Sequence, residues 1–370
     1  MNYKFPYRWT LENANFTKDK GKVFSCFSCG GGSSMGYKLA GFDVIGCNDI
    51  DESMMKAYIT NHNPKYSFLE GIQTLKSRSN LPKELFELDI LDGSPPCSSF
   101  SMAGNREDDW GEEKKFREGQ ADQVLDTLFF DFIDLAKRLQ PKVVIAENVK
   151  GLIMGQAVEY VKKINDAFQD AGYEMRIQPY LLDSSKMGVP QKRERVFFIA
   201  LRKDLAGPFM EQLDMFQFAP KLDLEFNEKP IYFNEIYQQG ISSTKHKQES
   251  RLHKYWKQRL PSDNDMGDIV MRLEKRKSMA TVMLIHNDRV CQTFTRQDRT
   301  LLYEEYRSMN KEEACMVQTF PLDYKFVSKQ YGYIIGMSVP PVMISHIASN
   351  IYEQWLSKIK MNVFSLAAIS

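Results

Sequence analysis

The stretch GSPPCSSFS, residues 93–101, sets a cysteine behind two prolines and ahead of serines, where covalent chemistry is one use of the thiol. Cys97 sits among residues with almost no helix or strand preference. It could be a buried spare thiol, half of a metal or disulfide pair, or a nucleophile. The prolines fix the backbone and forgo N–H donors, which suits a rigid loop. Glu147 ends the apolar run Val143, Val144, Ile145, Ala146. It either caps a helix expected in GLIMGQ or serves as an acid whose apolar surroundings raise its pKa toward neutrality. In QKRER, residues 191–195, Arg193 and Arg195 precede another apolar run, where structural salt bridges are the alternative to a functional role. Gly30, Gly31 and Gly32 close a short apolar run, and Asp49 closes the next one. A glycine turn at a helix start offers backbone N–H groups, and an acid after the second strand accepts from ribose hydroxyls. Together they suit an adenosine-containing cofactor, although a tight turn alone needs the same glycines.

These residues need elements to position them, and the first half of the chain reads as alternating strands and helices. Val23 to Phe27 reads as a strand, followed by a helix in SSMGYKLAG that Ser33 or Ser34 can cap. FDVIGCNDID is a second strand, and ESMMKAYITNHNP is a helix stopped near Asn63-Pro64. LFELDILDG is the third strand candidate and leads straight into the Cys97 loop. In QADQVLDTLFFDFIDLAKRLQP, residues Val124, Leu125, Leu128, Phe129, Phe132, Leu135, Ala136 and Leu139 share one helical stripe, ended by Pro141. PKVVIAEN reads as a buried parallel strand, VEYVKKINDAF as an amphipathic helix, and EMRIQPYLL and RVFFIALR as two further strands. The expected fold class is α/β, a doubly wound and mostly parallel Rossmann-like sheet with a second, smaller domain. Ligands of such sheets bind outside the carboxyl ends of the strands. The glycines, Asn48-Asp49, the Pro95-Pro96-Cys97 loop and Glu147-Asn148 all fall at such ends.

From about residue 203 the alternation is lost. The segment TKHKQESRLHKYWKQRL, residues 244–260, gathers Lys245, Lys247, Arg251, Lys254, Lys257 and Arg259 around Tyr255 and Trp256, and RLEKRK follows at 272–277. Such a run is either a solvated face or a phosphate-contacting surface. Apolar order returns in EEACMVQTFPLDY and in YGYIIGMSVPPVMISHIASNIYEQW. The 370 residues, 43% of them hydrophobic, suffice for two domains, and the net charge of +1 announces no polyanionic partner by itself. No basic-then-apolar leader opens the chain, and no uninterrupted apolar run approaches the roughly 20 residues that span a bilayer. A cytoplasmic protein without membrane contact is expected. The six cysteines are too scattered for a disulfide framework. Cys26-Phe27-Ser28-Cys29 is formally C-x-x-C but lacks a second ligand pair, so no metal is expected.

Taken together, the motifs resemble the cytosine-5 DNA methyltransferase family, in that family's order and over nearly the whole chain. FSCGGG with LAGF resembles its cofactor motif, GSPPCSSFS its proline-cysteine loop, ENVKGL its ENV motif and QKRERV its QxRxR motif. EEACMVQTFP and GMSVPP resemble the two late motifs. The resemblance implies transfer of a methyl group from S-adenosylmethionine to carbon 5 of a cytosine flipped out of a specific duplex DNA site. It makes Cys97 the nucleophile that adds at carbon 6 and Glu147 the acid at ring nitrogen 3. Arg195 would contact the base oxygen, with Arg193 supporting the base or its phosphate. Phe27, Ser28, Cys29, Gly30, Gly31, Gly32, Asp49, Ile50, Ile72, Pro96 and Ser338 would hold the cofactor. Residues 1–202 would form the catalytic domain, 203–315 the target-recognition domain, and 316–370 a hinge and a C-terminal segment returning to the catalytic domain. Double-stranded DNA is the implied partner, and a companion restriction endonuclease acting on the same site and a monomeric state are expected.

Three positions depart from the family pattern. Cys29 stands where its first glycine is expected, Gly71 where an acid precedes isoleucine, and Met337 where GNSV has asparagine. The competing readings are an RNA cytosine-5 methyltransferase of the same fold, a non-catalytic DNA-binding relative and a nucleotide-binding oxidoreductase. A recognition segment of about 100 residues favours DNA over RNA, intact Cys97 and Glu147 oppose a non-catalytic role, and an oxidoreductase needs no Pro-Pro-Cys.

Overall fold

A computed structural model describes residues 5–96, 113–114, 123–124, 127–154, 158–213, 215, 217–237, 250–279, 282–294, 299–327 and 331–361. Cys97 therefore lies outside the described residues, as do Leu125, Lys245 and Lys247. By backbone proximity the chain forms two compact units. One comprises Asn15–Leu182, Glu194–Glu225 and Ile344–Ser370; the other comprises Met1–Ala14, Asp183–Arg193 and Phe226–Met343.

The larger unit is built on alternating elements: β1 (Lys22–Cys26), α1 (Gly32–Leu39), β2 (Asp43–Asp49), α2 (Glu52–His62), β3 (Tyr66–Leu69), α3 (Ile72–Ser77) and β4 (Ile90–Gly93). The short strands β5 (Glu113–Lys114) and β6 (Gln123–Val124) pair antiparallel before α4 (Leu128–Leu139). Then come β7 (Val143–Val149), α5 (Val158–Asp170), β8 (Tyr173–Met175), β9 (Tyr180–Asp183), β10 (Glu194–Arg202), α6 (Lys203–Ala206), β11 (Met210–Gln212) and β12 (Phe218–Pro220). The main sheet runs β3-β2-β1-β4-β7-β10-β8, with β9 paired to β10. Strands β3, β2, β1, β4 and β7 are mutually parallel, while β10 is antiparallel to β7 and β8. The expected doubly wound, mostly parallel sheet is present, and the chain reverses its direction of travel across the sheet at β1. The apolar sides of α4 and α5 pack with β1, β4, β7 and β10 into one core that includes Phe24, Leu91, Phe129, Phe132, Ala146 and Phe198.

Several local expectations change. Gly31 caps the helix after the glycines without a side-chain bond, so Ser33 and Ser34 lie inside α1 rather than capping it. Ser34 Oγ instead meets the Tyr58 hydroxyl at 2.6 Å. LFELDILDG is strand only from Ile90, because Lys83–Glu87 forms a 3₁₀ turn after Pro82. Val124 belongs to β6, so α4 starts only at Leu128. EMRIQPYLL divides into β8 and β9, with Pro179 between them unable to donate to a ladder. The β3–α3 unit escapes sequence reading because Tyr66–Leu69 alternates between half-buried and exposed residues at a sheet edge.

The second unit contains α7 (Arg251–Trp256), α8 (Met266–Glu274), β13 (Val282–Ile285), β14 (Arg299–Leu302), α9 (Lys311–Val317) and α10 (Tyr331–Met337). Tyr255, Met266, Ile269, Val270, Val282, Leu284 and Leu301 form its own core cluster. After α10, helix α11 (Pro341–Ile351) continues through a π-helical turn at Tyr352–Leu356. Tyr331–Met361 is long and apolar enough on average to cross a membrane by length and composition, although polar residues interrupt it, and 72% of its most apolar window is buried inside the protein. That burial is the mark of a core helix.

Candidate functional site

The glycine turn is a strained loop at the carboxyl end of β1. Phe27 and Cys29 adopt left-handed backbone with φ of 51° and 47°, and Gly31 follows at 72°. Only glycine takes that region without penalty, so Cys29 in place of a family glycine keeps the turn at a conformational cost. Ordered bonds hold it: Ser28 N donates to Asn48 O at 3.1 Å, Gly31 N to Ser28 O at 2.8 Å, and Cys29 N to Asp49 Oδ2 at 2.7 Å. The second carboxylate oxygen of Asp49 accepts from Asp51 N at 2.8 Å. Asp49 thus braces the turn directly, a role that its place after the second strand does not reveal. Gly30, Gly31, Gly32 and Ser28 are buried, the Phe27 ring lies 6.4 Å from Phe132, and Ile50 is partly exposed.

The next strand end supplies Ile72. Asn48 Nδ2 donates to Phe68 O and Glu70 O at 3.0 and 2.7 Å, which fixes the chain entering α3. Gly71 caps that helix with φ of −64°, an ordinary value, so the backbone does not require glycine there. The nearby acid Glu70 is held at 2.9 Å by Arg78 Nη1. Ile72 itself is 2% exposed and packs into the core.

Strand β4 delivers the chain to the cysteine loop. A Cβ on Gly93 would stand 2.5 Å from the Phe132 ring, so this glycine is dictated by packing. Pro95 is buried and Pro96 partly so. Asn148, at the end of β7, donates from Nδ2 to Pro95 O at 3.0 Å. The ENV asparagine therefore holds the proline loop from the neighbouring strand.

Glu147 and Arg195 are brought together. Glu147 Oε1 lies 2.9 Å from Arg195 Nε, with side-chain exposures of 10% and 14%. β7 and β10 pair with Arg195 opposite Val149 and Phe197 opposite Glu147, which puts both charged side chains on one face. The surroundings of Glu147 are therefore not simply apolar, as expected from sequence, but contain a guanidinium. The turn at Lys150–Ile153 carries no side-chain cap, so the capping alternative for Glu147 is excluded. Burial pulls the Arg195 guanidinium below its ordinary value, and Glu147 pushes it back.

Arg193 and Ser338 belong to the second unit. Arg193 Nη1 donates to Phe294 O at 3.0 Å and Nη2 to Gly336 O at 3.1 Å. Gln191 Nε2 donates to Gln318 Oε1 at 2.7 Å, and Gln318 Nε2 donates to Ser338 O at 2.7 Å. The Ser338 hydroxyl donates to Ile334 O at 2.8 Å, which turns the α10 terminus back on itself beside Met337. Gln191 and Gln318 were missed as functional candidates; their place in the QKRER and EEACMVQTFP motifs was the available signal.

The basic segment is only partly a free surface. Tyr255 is 8% exposed and packs in the unit's core, and Trp256 Nε1 donates to Leu302 O at 2.9 Å. Arg259 lies 3.6 Å from the centroid of the Trp256 ring, Arg251 meets Glu274, and Arg272 meets Asp263. The aromatics expected among phosphate contacts are thus structural. Lys254, Lys257, Lys275 and Lys277 are exposed, with no ion-pair partner for their side chains among the described residues.

Cys26 and Cys29 form no disulfide with each other. Burial first, then Asp92, pushes the Cys26 thiol well above its ordinary value, which leaves it inert.

Residues 21–353 match the family model described as C-5 cytosine-specific DNA methylase. The chain is 30% identical over 362 residues to the type II methyltransferase M.FnuDI of Fusobacterium nucleatum, covering 92% of this chain and 96% of that protein. It is 29% identical to the type II methyltransferase M.Eco47II of Escherichia coli, over 86% of this chain and 75% of that one. Among solved structures, Spodoptera frugiperda DNMT2 aligns with a TM-score of 0.59 and 18% identity, covering 90% of this chain and 99% of that chain. Schizosaccharomyces pombe Dnmt2 aligns at 0.57 and 17%, covering 90% and 98%; at such identities the likeness shows the fold. On the family model and the near full-length relative, this chain belongs to the C-5 cytosine-specific DNA methylase family.

Proposed function

We propose that this DNA cytosine-5 methyltransferase works through Cys97, with Glu147 and Arg195 holding the target base. The observation that carries the reading is the 2.9 Å Glu147–Arg195 pair on adjacent strand ends, next to a proline loop tied down by Asn148. Carbon 5 of cytosine is a poor nucleophile. Addition of the Cys97 thiolate at carbon 6 turns the ring into an enamine and makes carbon 5 nucleophilic. A proton carried by Glu147 is donated to ring nitrogen 3, so charge developing during attack is relieved and the carboxylate left behind stays paired with Arg195. Arg195 keeps Glu147 oriented and offers its remaining N–H groups to the base oxygen. S-adenosylmethionine supplies an electrophilic methyl group on its sulfonium. Loss of the carbon 5 proton then expels the thiolate and restores the aromatic ring. Arg193, held by two carbonyls, supports the base indirectly by fixing its own loop.

The donor fits the strand ends. The left-handed turn from Phe27 to Gly31 opens on the amino terminus of α1, and Asp49 braces it from the neighbouring strand end. Ile50 and Pro96, both partly exposed, offer apolar surface suited to adenine, while Ile72 is buried in the core and Ser338 belongs to the second unit. The family implies no metal. Of residues 203–315, assigned to target recognition, the part from Phe226 onward lies in the second unit and carries Lys254, Lys257, Lys275 and Lys277 as the cations available for phosphates. A monomer acting in the cytoplasm, with a companion endonuclease of the same specificity, completes the reading.

The test is transfer of labelled methyl from S-adenosylmethionine to duplex DNA or RNA, followed over a range of salt. Label on carbon 5 of cytosine in DNA is expected, with DNA affinity falling as salt rises and falling less steeply in a Lys254→Ala, Lys257→Ala variant. Label in RNA alone would overturn the DNA reading. An unchanged salt slope would remove the lysines from phosphate contact.

A further inference from the structure

Asp92 is a buried acid that the reaction as described does not use. It is 2% exposed at the end of β4, between Leu91 and Gly93. Strands β1 and β4 pair in parallel with Ser25 opposite Asp92. Ser25 Oγ donates to Asp92 Oδ2 at 2.7 Å, and the Tyr37 hydroxyl, from α1, donates to Asp92 Oδ1 at 3.0 Å. No cation pairs with this carboxyl among the described residues. The other titratable groups that face it are the Cys26 thiol from β1 and the Glu147 carboxylate from β7.

We propose that Asp92 is a positioning residue for methyl transfer: its ionised carboxyl, held by Ser25 and Tyr37, sets the glycine turn in register with the strand that delivers Pro95, Pro96 and Cys97. The three tied elements are the ones the reaction must align. β1 and α1 flank the turn assigned to the donor, and β4 leads within five residues to the nucleophile. The inference rests on the assignment of Cys97 and the turn made above.

The tie depends on proton position. An ionised carboxylate only accepts, so both hydroxyls point at it. Once protonated, the carboxyl must donate its own hydrogen to one of those oxygens, and that contact has to reverse. Burial, opposed by the two hydroxyl bonds and reinforced by Glu147, raises the Asp92 carboxyl to about 7. Tyr37 stays a donor throughout, since burial first and then Asp92 push its phenol well above its ordinary value. The tie is complete above about 7 and is lost as pH falls through that value. Because each hydroxyl bond lowers the Asp92 pKa, removing one moves the transition upward.

The experiment compares wild type, Tyr37→Phe and Asp92→Asn in single-turnover methylation of duplex DNA from pH 5.5 to 9 (roughly the window set by ordinary cysteine and shifted carboxyl values). Cofactor binding by calorimetry and melting by circular dichroism accompany it. Wild type is expected to lose rate as pH falls through neutrality. Tyr37→Phe should shift that inflection upward by at least half a pH unit (a factor of about three in proton affinity). Asp92→Asn should lack the inflection and turn over roughly tenfold more slowly, with KM for donor and DNA within about twofold of wild type. A ¹³C-carboxyl NMR titration of Asp92 in the wild-type protein reports the ionisation directly, whether or not a variant folds. An inflection that stays in place in folded Tyr37→Phe, or a carboxyl that does not titrate between pH 6 and 8 (about one unit either side of neutrality), overturns the proposal. No methyl transfer by wild type at any pH would instead overturn the functional reading beneath it.

Discussion

Gly31 and His62 show how one residue type constrains another. The His62 ring is 6% exposed and stacks on Tyr58 with centroids 4.3 Å apart, and neither ring nitrogen has a hydrogen-bond partner among the described residues. Burial, with Lys38 adding to it, holds this imidazole well below its ordinary pKa, so it is neutral at working pH. It fills the space under the turn: a Cβ on Gly31 would stand 2.1 Å from His62 Nε2. Gly31→Ala is therefore expected to weaken S-adenosylmethionine binding by at least tenfold (about 1.4 kcal/mol) and to lower the melting temperature. Two costs contribute, the contact with the ring and the left-handed backbone, the latter worth roughly 1–2 kcal/mol. Combined with His62→Ala, the double variant should lose less than the sum of the two single variants, because only the contact is relieved. Strict additivity in calorimetry and melting would show that the ring does not impose the glycine.

At the scale of elements, the strand ends are where sequence reading works best. β1, β2, β4 and β7 each end within a residue or two of a stretch singled out for its chemistry, because a buried parallel strand is a continuous apolar run and its end is abrupt. Reading fails where burial is partial or a local signal is overridden. β3 alternates at an edge, Pro179 divides one expected strand into two, and the helix cap goes to Gly31 instead of a serine because the turn needs a left-handed residue there. The partner of Asn148 is likewise invisible in the sequence, since it depends on the β4–β7 pairing. Asn148→Ala is expected to leave the sheet intact, as the strand's backbone ladder is unaffected, while depriving Pro95 O of its donor. Losing a buried hydrogen bond costs about 1–3 kcal/mol. Most of that should appear as loop disorder, with single-turnover methylation slowed by about tenfold or more. A variant with wild-type rate would mean that the loop is held by other contacts.

For the whole molecule, the order of motifs identifies the residues, and only the fold supplies their partners. Glu147 and Arg195 are 48 positions apart by their residue numbers and become an ion pair because β10 returns antiparallel beside β7. Gln191, Gln318 and Ser338 come from three separate motifs and are linked in one hydrogen-bonded series within the second unit, where Arg193 separately holds the carbonyls of Phe294 and Gly336. Those motifs therefore contribute to the frame of the second unit. The basic run near Trp256 was legible as charge but not as structure, since its arginines are consumed by carboxylates and aromatic faces while Lys254 and Lys257 stay exposed. The central claim is that a thiolate at position 97 carries the methylation. Duplex DNA with 5-fluorocytosine in place of cytosine tests it most directly, because fluorine at carbon 5 cannot leave as a proton and the adduct cannot collapse. With S-adenosylmethionine present, mass spectrometry is predicted to find one DNA adduct, on the peptide containing Cys97, and none in Cys97→Ser. An adduct on another cysteine, or labelled methyl transfer to ordinary cytosine by Cys97→Ser at the wild-type rate, would contradict it.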